Sequence, residues 1–293
     1  MDRMDRPQPL LGGIIPPVCT PLTEDGEVDA ESLRNLLDFL IDGGVAGLFL
    51  LGSSSEAAFL TDAQRAAVLR VAAPHVAGRV PVLAGVIDMT TPRVAAHVAD
   101  ALSVGVDGIV ATGPFYARTH PAEIEQHFRV LKDAIGDVPL FAYDVPVSTN
   151  GVHLDREMLV RLARDGVVAG LKDSSGDDAG LRRLILLKQR ENLPTFSILT
   201  GSELTSETAL WMGADGIVPG LGNVDPVGYV KLYDLCMTGD WGAARTEQER
   251  LCRLFPIVDV APASRMGRGS SAIGAFKAAL CLRGVIKIGR AHV

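Results

Sequence analysis

Paired cysteines, clustered histidines, long apolar runs and a basic surplus are all missing from this chain. Its four cysteines among 293 residues, Cys19, Cys236, Cys252 and Cys281, show no paired spacing, which points to a reduced, cytoplasmic setting rather than a disulfide framework. The six histidines form no His-x-x-x-His pattern, and no Cys-x-x-Cys accompanies them. His120 and His127 could share a helix face, but with no further ligand no metal site is expected. A net charge of -7, spread without a basic stripe, argues against nucleic acid or an anionic membrane as partner. No apolar segment reaches the roughly 18 residues of a membrane span. Residues 1–7 lack the apolar core of a signal peptide.

What is present is an alternation. Short apolar runs at 13–18, 47–51, 81–85, 108–111, 140–143, 167–172, 196–200 and 216–219 read as strands. Helical periodicity fills 30–43, 62–73, 91–104, 122–135, 155–164, 177–190 and 203–212. Asp, Ser or Thr opens several of these helices, and Gly44, Gly105 and Gly136 close others. Eight strands with intervening helices predict a closed (β/α)8 barrel in a chain that is 47% hydrophobic. A doubly wound sheet is the competing reading. Its dinucleotide fingerprint is absent, because Gly267-Arg-Gly269-Ser-Ser-Ala272 matches in letters only and follows a polar loop. About three more helices follow between Pro226 and Arg283. The expected division is an N-terminal tail (1–10), a barrel (11–222) and C-terminal helices (223–286), with 287–293 set apart. Lys287 to Val293 resembles a translated sequencing adapter rather than a native terminus, a short frayed tail being the other reading.

Lysine is scarce, and one of the six is oddly placed. The apolar run Gly166-Val-Val-Ala-Gly-Leu171 ends in Lys172. An ammonium at the exit of a buried strand pays desolvation unless it pairs or loses its proton. A neutral amine is a nucleophile suited to imine formation with a carbonyl substrate. A lysine that caps the strand and snorkels to solvent is the plainer alternative.

Barrels of this kind react at the C-terminal ends of their strands. There the chain offers Cys19-Thr20-Pro21, Gly52-Ser53-Ser54-Ser55-Glu56, Phe115-Tyr116, Tyr143-Asp144-Val145-Pro146 and Lys172. Singly, the serines could be caps and the tyrosines packing aromatics. Together they supply an amine, a phenol to relay protons and hydroxyls to hold a carboxylate, the needs of an amine-catalysed 2-oxo acid reaction.

These motifs, in this order with Gly170-Leu-Lys172-Asp-Ser-Ser-Gly176-Asp177, resemble the dihydrodipicolinate synthase and N-acetylneuraminate lyase family of pyruvate-dependent class I aldolases. The resemblance spans about Leu11 to Arg283. It implies a TIM barrel with a C-terminal helical region, a homotetramer built as a dimer of dimers, and a small 2-oxo acid as the partner. It assigns the imine to Lys172, the proton shuttle to Tyr143 and the carboxylate to Ser53 and Ser54. Tyr116 would reach a neighbouring subunit's site and complete a relay with Ser53. Thr20, Ser148, Gly201 and Val218 are expected to line the substrate. No cofactor or metal is expected, since the iminium is its own electron sink.

Three departures stand out. Ser55 replaces the second glycine of the family's Gly-x-x-Gly-Glu, and a left-handed backbone there would cost roughly 1–2 kcal/mol. Ser148 stands where the synthases place an arginine for a second carboxylate. About one helix that usually closes the family's chain is absent beyond Arg283. The chain is therefore expected to be a Schiff-base lyase, an aldolase or dehydratase on pyruvate or a 2-oxo-3-deoxy sugar acid. The alternatives are a synthase condensing pyruvate with aspartate semialdehyde, a metal-dependent aldolase and a non-catalytic barrel that binds a small acid.

Overall fold

In the computed structural model, which describes residues 9–292, eight parallel strands alternate with helices around one lumen. The strands are β1 (Gly13–Ile14), β2 (Leu48–Leu50), β3 (Val82–Gly85), β4 (Gly108–Ala111), β5 (Leu140–Asp144), β6 (Gly170–Asp173), β7 (Ser197–Thr200) and β8 (Gly216–Ile217). Between them run α1 (Ala30–Asp42), α2 (Asp62–Val76), α3 (Thr91–Ser103), α4 (Pro121–Ile135), α5 (Arg156–Arg164), α6 (Asp178–Arg190) and α7 (Ser206–Met212). Each strand pairs with its sequence neighbour from β2 to β8, and β8 pairs with β1. The last seam, β1 to β2, closes through Ala46 N to Ile14 O, Phe49 N to Pro16 O and Val18 N to Phe49 O. The predicted barrel is the observed fold.

Several boundaries differ from the sequence expectation, each for a local reason. The first strand was expected over 13–18, but its regular run ends at Ile14 and only single bonds such as Ile15 N to Ile217 O and Val18 N to Phe49 O continue it, because Pro16 and Pro17 bring no N–H. The sixth begins at Gly170 rather than Val167, since the amides of Val167 and Val168 both return to Leu162 O at the end of α5. The seventh helix begins at Ser206 rather than 203, because Glu203 turns inward. Gly44, Gly105 and Gly136 all carry φ between +61° and +84° at helix ends, which only glycine adopts freely.

Strand alternation builds two cores. One face of the strands packs against the helices. The other fills the lumen with Ile15, Phe49, Leu83, Val110, Phe141, Tyr143, Leu199 and Val218. Phe141 fits because its neighbours are Gly108 and Gly170; a Cβ on Gly170 would lie 2.8 Å from the ring. After β8 come α8 (Pro226–Thr238), α9 (Trp241–Leu254) and α10 (Arg268–Leu282). Helix α8 packs on β1, and α9 and α10 extend the structure beyond the barrel. The set-apart segment lies against Glu56, whose Oε1 accepts from His292 N (2.7 Å) and Nδ1 (2.8 Å).

Candidate active site

Lys172 and Tyr143 are register partners on β6 and β5, and both point into the lumen. Lys172 is 6% exposed, with Nζ 4.0 Å from the centroid of the Tyr143 ring and 5.1 Å from that of Phe49. Phe49 in turn meets Tyr143 edge-on, at 6.3 Å and 85°. Such aromatic faces attract an ammonium and fix the lysine stem. The Tyr143 hydroxyl lies 3.3 Å from Ser53 Oγ. Burial pushes this phenol up, but the Lys172 ammonium and hydrogen bonds from Ser53, Lys172 and Ser174 outweigh it, so the phenol is held below its usual range. The amine, the phenol and the hydroxyl expected from sequence thus meet at one mouth of the barrel.

The Ser53 loop is held from beneath. Gly52 passes so close to Phe49 that a Cβ would lie 2.6 Å from the ring. The amides of Ser55 and Glu56 turn back to Gly52 O and Ser53 O, and Thr20 Oγ1 donates to Ser55 O at 2.7 Å. Thr20 is thereby a brace for the loop, and Ser54 beside Ser53 is half-buried. The left-handed residues here are Leu51 (φ 57°) and Glu56 (φ 63°), not Ser55. The expected strain at Ser55 is absent. Glu56 is fully buried and is matched by Lys277 Nζ at 2.8 Å from α10. Burial pushes the nearby Cys19 thiol up to about 12, so this strand-end cysteine carries no thiolate.

The remaining expected residues spread around the rim. Gly201 N donates to Asp173 O, and a Cβ there would strike Ser174 Oγ at 2.2 Å. Val218 is buried in the lumen and bonds Thr200 O. Ser148 lies exposed in a short turn of 3-10 helix after β5. Tyr116 differs from them: it is 83% exposed, at φ 76°, in the loop before α4. His120 caps α4, and His127 is buried beside Thr91, its ring pushed down to about 4 by burial.

Sequence reasoning missed Glu203. Its Oε1 accepts from Leu221 N (2.7 Å) and Tyr229 OH (3.1 Å). Burial pushes its carboxyl up to about 7, opposed by the Leu221 and Gly220 amides, Tyr229 and Lys172. Its only sequence signal was a charged residue soon after a strand end.

A profile of the dihydrodipicolinate synthetase family matches residues 10–281. A 4-hydroxy-tetrahydrodipicolinate synthase of Porphyromonas gingivalis is 34% identical over 264 residues, covering 89% of this chain and 86% of the relative. A probable 2-dehydro-3-deoxy-D-pentonate aldolase of Escherichia coli K12 is 33% identical, covering 84% and 81%. Among solved structures, a prophage protein of the dihydrodipicolinic acid synthase family from Escherichia coli K12, in complex with pyruvate, superposes with a TM-score of 0.85. It is 31% identical, and the match covers 94% of this chain and 89% of that one.

Proposed function

The chain belongs to the dihydrodipicolinate synthetase family, class I pyruvate-dependent lyases, and we propose that it cleaves or dehydrates a 2-oxo-3-deoxy sugar acid through an imine at Lys172. The observation that carries this reading is Lys172 Nζ over the Tyr143 ring, with the Tyr143 hydroxyl directed to Ser53. Lys172 Nζ, as the neutral amine, attacks the C2 carbonyl; Tyr143 gives its proton to the carbinolamine hydroxyl, and water leaves as the iminium forms. The substrate carboxylate lies against the hydroxyls of Ser53 and Ser54. Tyr143, now the phenolate, takes the proton of the C4 hydroxyl, the C3–C4 bond breaks, and its electrons pass to the iminium. The aldehyde departs. The enamine is protonated at C3, and hydrolysis frees pyruvate and the amine. Loss of the C4 hydroxyl instead, after deprotonation at C3, gives the dehydratase outcome. Tyr116, exposed on its own chain, suits insertion into a neighbouring subunit, in keeping with a homotetramer.

The trap for this reading is pyruvate with borohydride. One pyruvate-derived mass per chain is expected on the Lys172 peptide, and none after Lys172→Ala. An adduct on another lysine sinks the assignment.

The substrate class rests on Ser148. A second carboxylate would call for a bidentate guanidinium, and nothing in 143–151 carries positive charge. A hydroxylated or neutral distal end fits better. The 34% identical synthase favours the second reading, condensation of pyruvate with aspartate semialdehyde. Direct comparison of the two reactions separates them. A kcat/KM at least tenfold higher for the semialdehyde, about 1.4 kcal/mol of transition-state preference, makes the protein a synthase despite its serine.

A further inference from the structure

A cavity of about 240 Å3 lies outside the barrel wall, between the ends of β5 and β6 and the first turns of α5 and α6. Strand alternation puts it there. Tyr143 and Lys172 face the lumen, so their successors Asp144 and Asp173, again register partners, face the helices. The two carboxylates line it with Leu154, Leu159, Leu171 and Leu184, and His153, Asp155, Arg156, Ser175 and Gly180 complete the lining.

Asp144 is 7% exposed, and its Oδ1 has no hydrogen-bond partner. Its Oδ2 lies 3.6 Å from His153 Nδ1 at the outer rim. A buried carboxylate oxygen left unpaired is costly, and native structures rarely tolerate it. The surrounding charges are committed elsewhere. Asp173 Oδ1 accepts from Ser175 N, and Asp155 caps α5 by accepting from Met158 N. Arg156 donates to Gly180 O and pairs with Asp177, which itself caps α6 through Gly180 N. Burial, then the charge of Asp173, push the Asp144 carboxyl up to about 6 against the pull of His153 and the Leu154 amide, and burial raises Asp173 as well.

We propose that this cavity binds a small organic ammonium ion, with its N–H groups on Asp144 Oδ1 and Asp173 and its alkyl body against the four leucines. The lining selects the ligand. A metal ion would want several donors, and among the described residues no group of three or more His, Cys, Asp or Glu side chains could hold one. The leucines offer such an ion nothing, whereas an alkyl chain gains by burial against them. The cavity also exceeds the roughly 30 Å3 share of a single water.

Calorimetric titration of n-propylammonium chloride into the full chain, beside potassium chloride at equal ionic strength, tests this. At about pH 8 saturable binding of the amine is expected, with none of potassium. Binding should weaken at least tenfold in Asp144→Asn, and likewise at about pH 5, where a proton takes the ammonium's place. Should Asp144→Asn not fold, Asp173→Asn carries the same expectation. No amine binding, equal affinity in the folded variant, or potassium binding as tightly as the amine overturns the assignment.

Discussion

Lys172 Nζ sits 4.0 Å from the ring centroid of Tyr143, its register partner across the β5–β6 ladder. Because both residues stand on paired strands rather than loops, their separation is fixed by backbone hydrogen bonds. Preorganisation of this sort leaves little to be ordered when substrate arrives.

Tyr143→Phe keeps the ring over the ammonium and removes only the proton carrier. Turnover should fall roughly 10²–10⁴-fold, the usual worth of a positioned acid–base group. The borohydride adduct on Lys172 should persist. Unchanged turnover would take the phenol out of the mechanism.

The Glu56–Lys277 pair, both side chains fully buried, joins the carboxylate loop to α10. Lys277→Met leaves Glu56 buried without its main counter-charge and should cost about 3–5 kcal/mol in denaturant melts. Adding Glu56→Gln should recover much of that loss. If the double variant melts no later than the single one, the pair is not the source of the cost.

Asp144 makes stability pH-dependent in a definite direction. Its folded value of about 6 lies above the usual 3.8, so the folded state holds the proton more tightly. The stability this confers is complete below about pH 4 and is lost as pH rises through 6. Asp144→Asn does not titrate. It should therefore gain on the wild type between about pH 4 and 7, by on the order of 1–3 kcal/mol in amine-free buffer. Parallel stability curves for the two proteins would contradict this.

Tyr116→Ala and Lys172→Ala should each be nearly inactive alone. If Tyr116 serves a neighbour's site, mixed oligomers prepared by refolding the two together place an intact lysine beside an intact tyrosine. Activity then reappears above either parent. Its failure to appear, with mixing shown by mass, would confine Tyr116 to its own chain.

The barrel was legible because its signals are local. Eight apolar runs of strand length, with N-cap residues and glycines at several of the intervening helix ends, each follow from the chemistry of their own few residues. Lys172 was legible for the same reason, as a charge ending an apolar run. The motif order then tied Tyr143 and Ser53 to it. What the string of residues could not show was which side chains share a face after the strands curl. That Thr20 braces the Ser55 carbonyl, that left-handed backbone falls on Leu51 and Glu56, and that Glu203 turns inward to Tyr229 all depend on contacts between distant segments. The two-residue first strand was half visible in Pro16 and Pro17, whose missing N–H groups end a ladder. The late start of β6 was not, because it is decided by Leu162 O capturing two amides. Asp144 and Asp173 read as ordinary strand-end acids. Only the parallel register, which turns Tyr143 and Lys172 inward and so turns these two outward behind the helices, brings their carboxylates to one buried cavity.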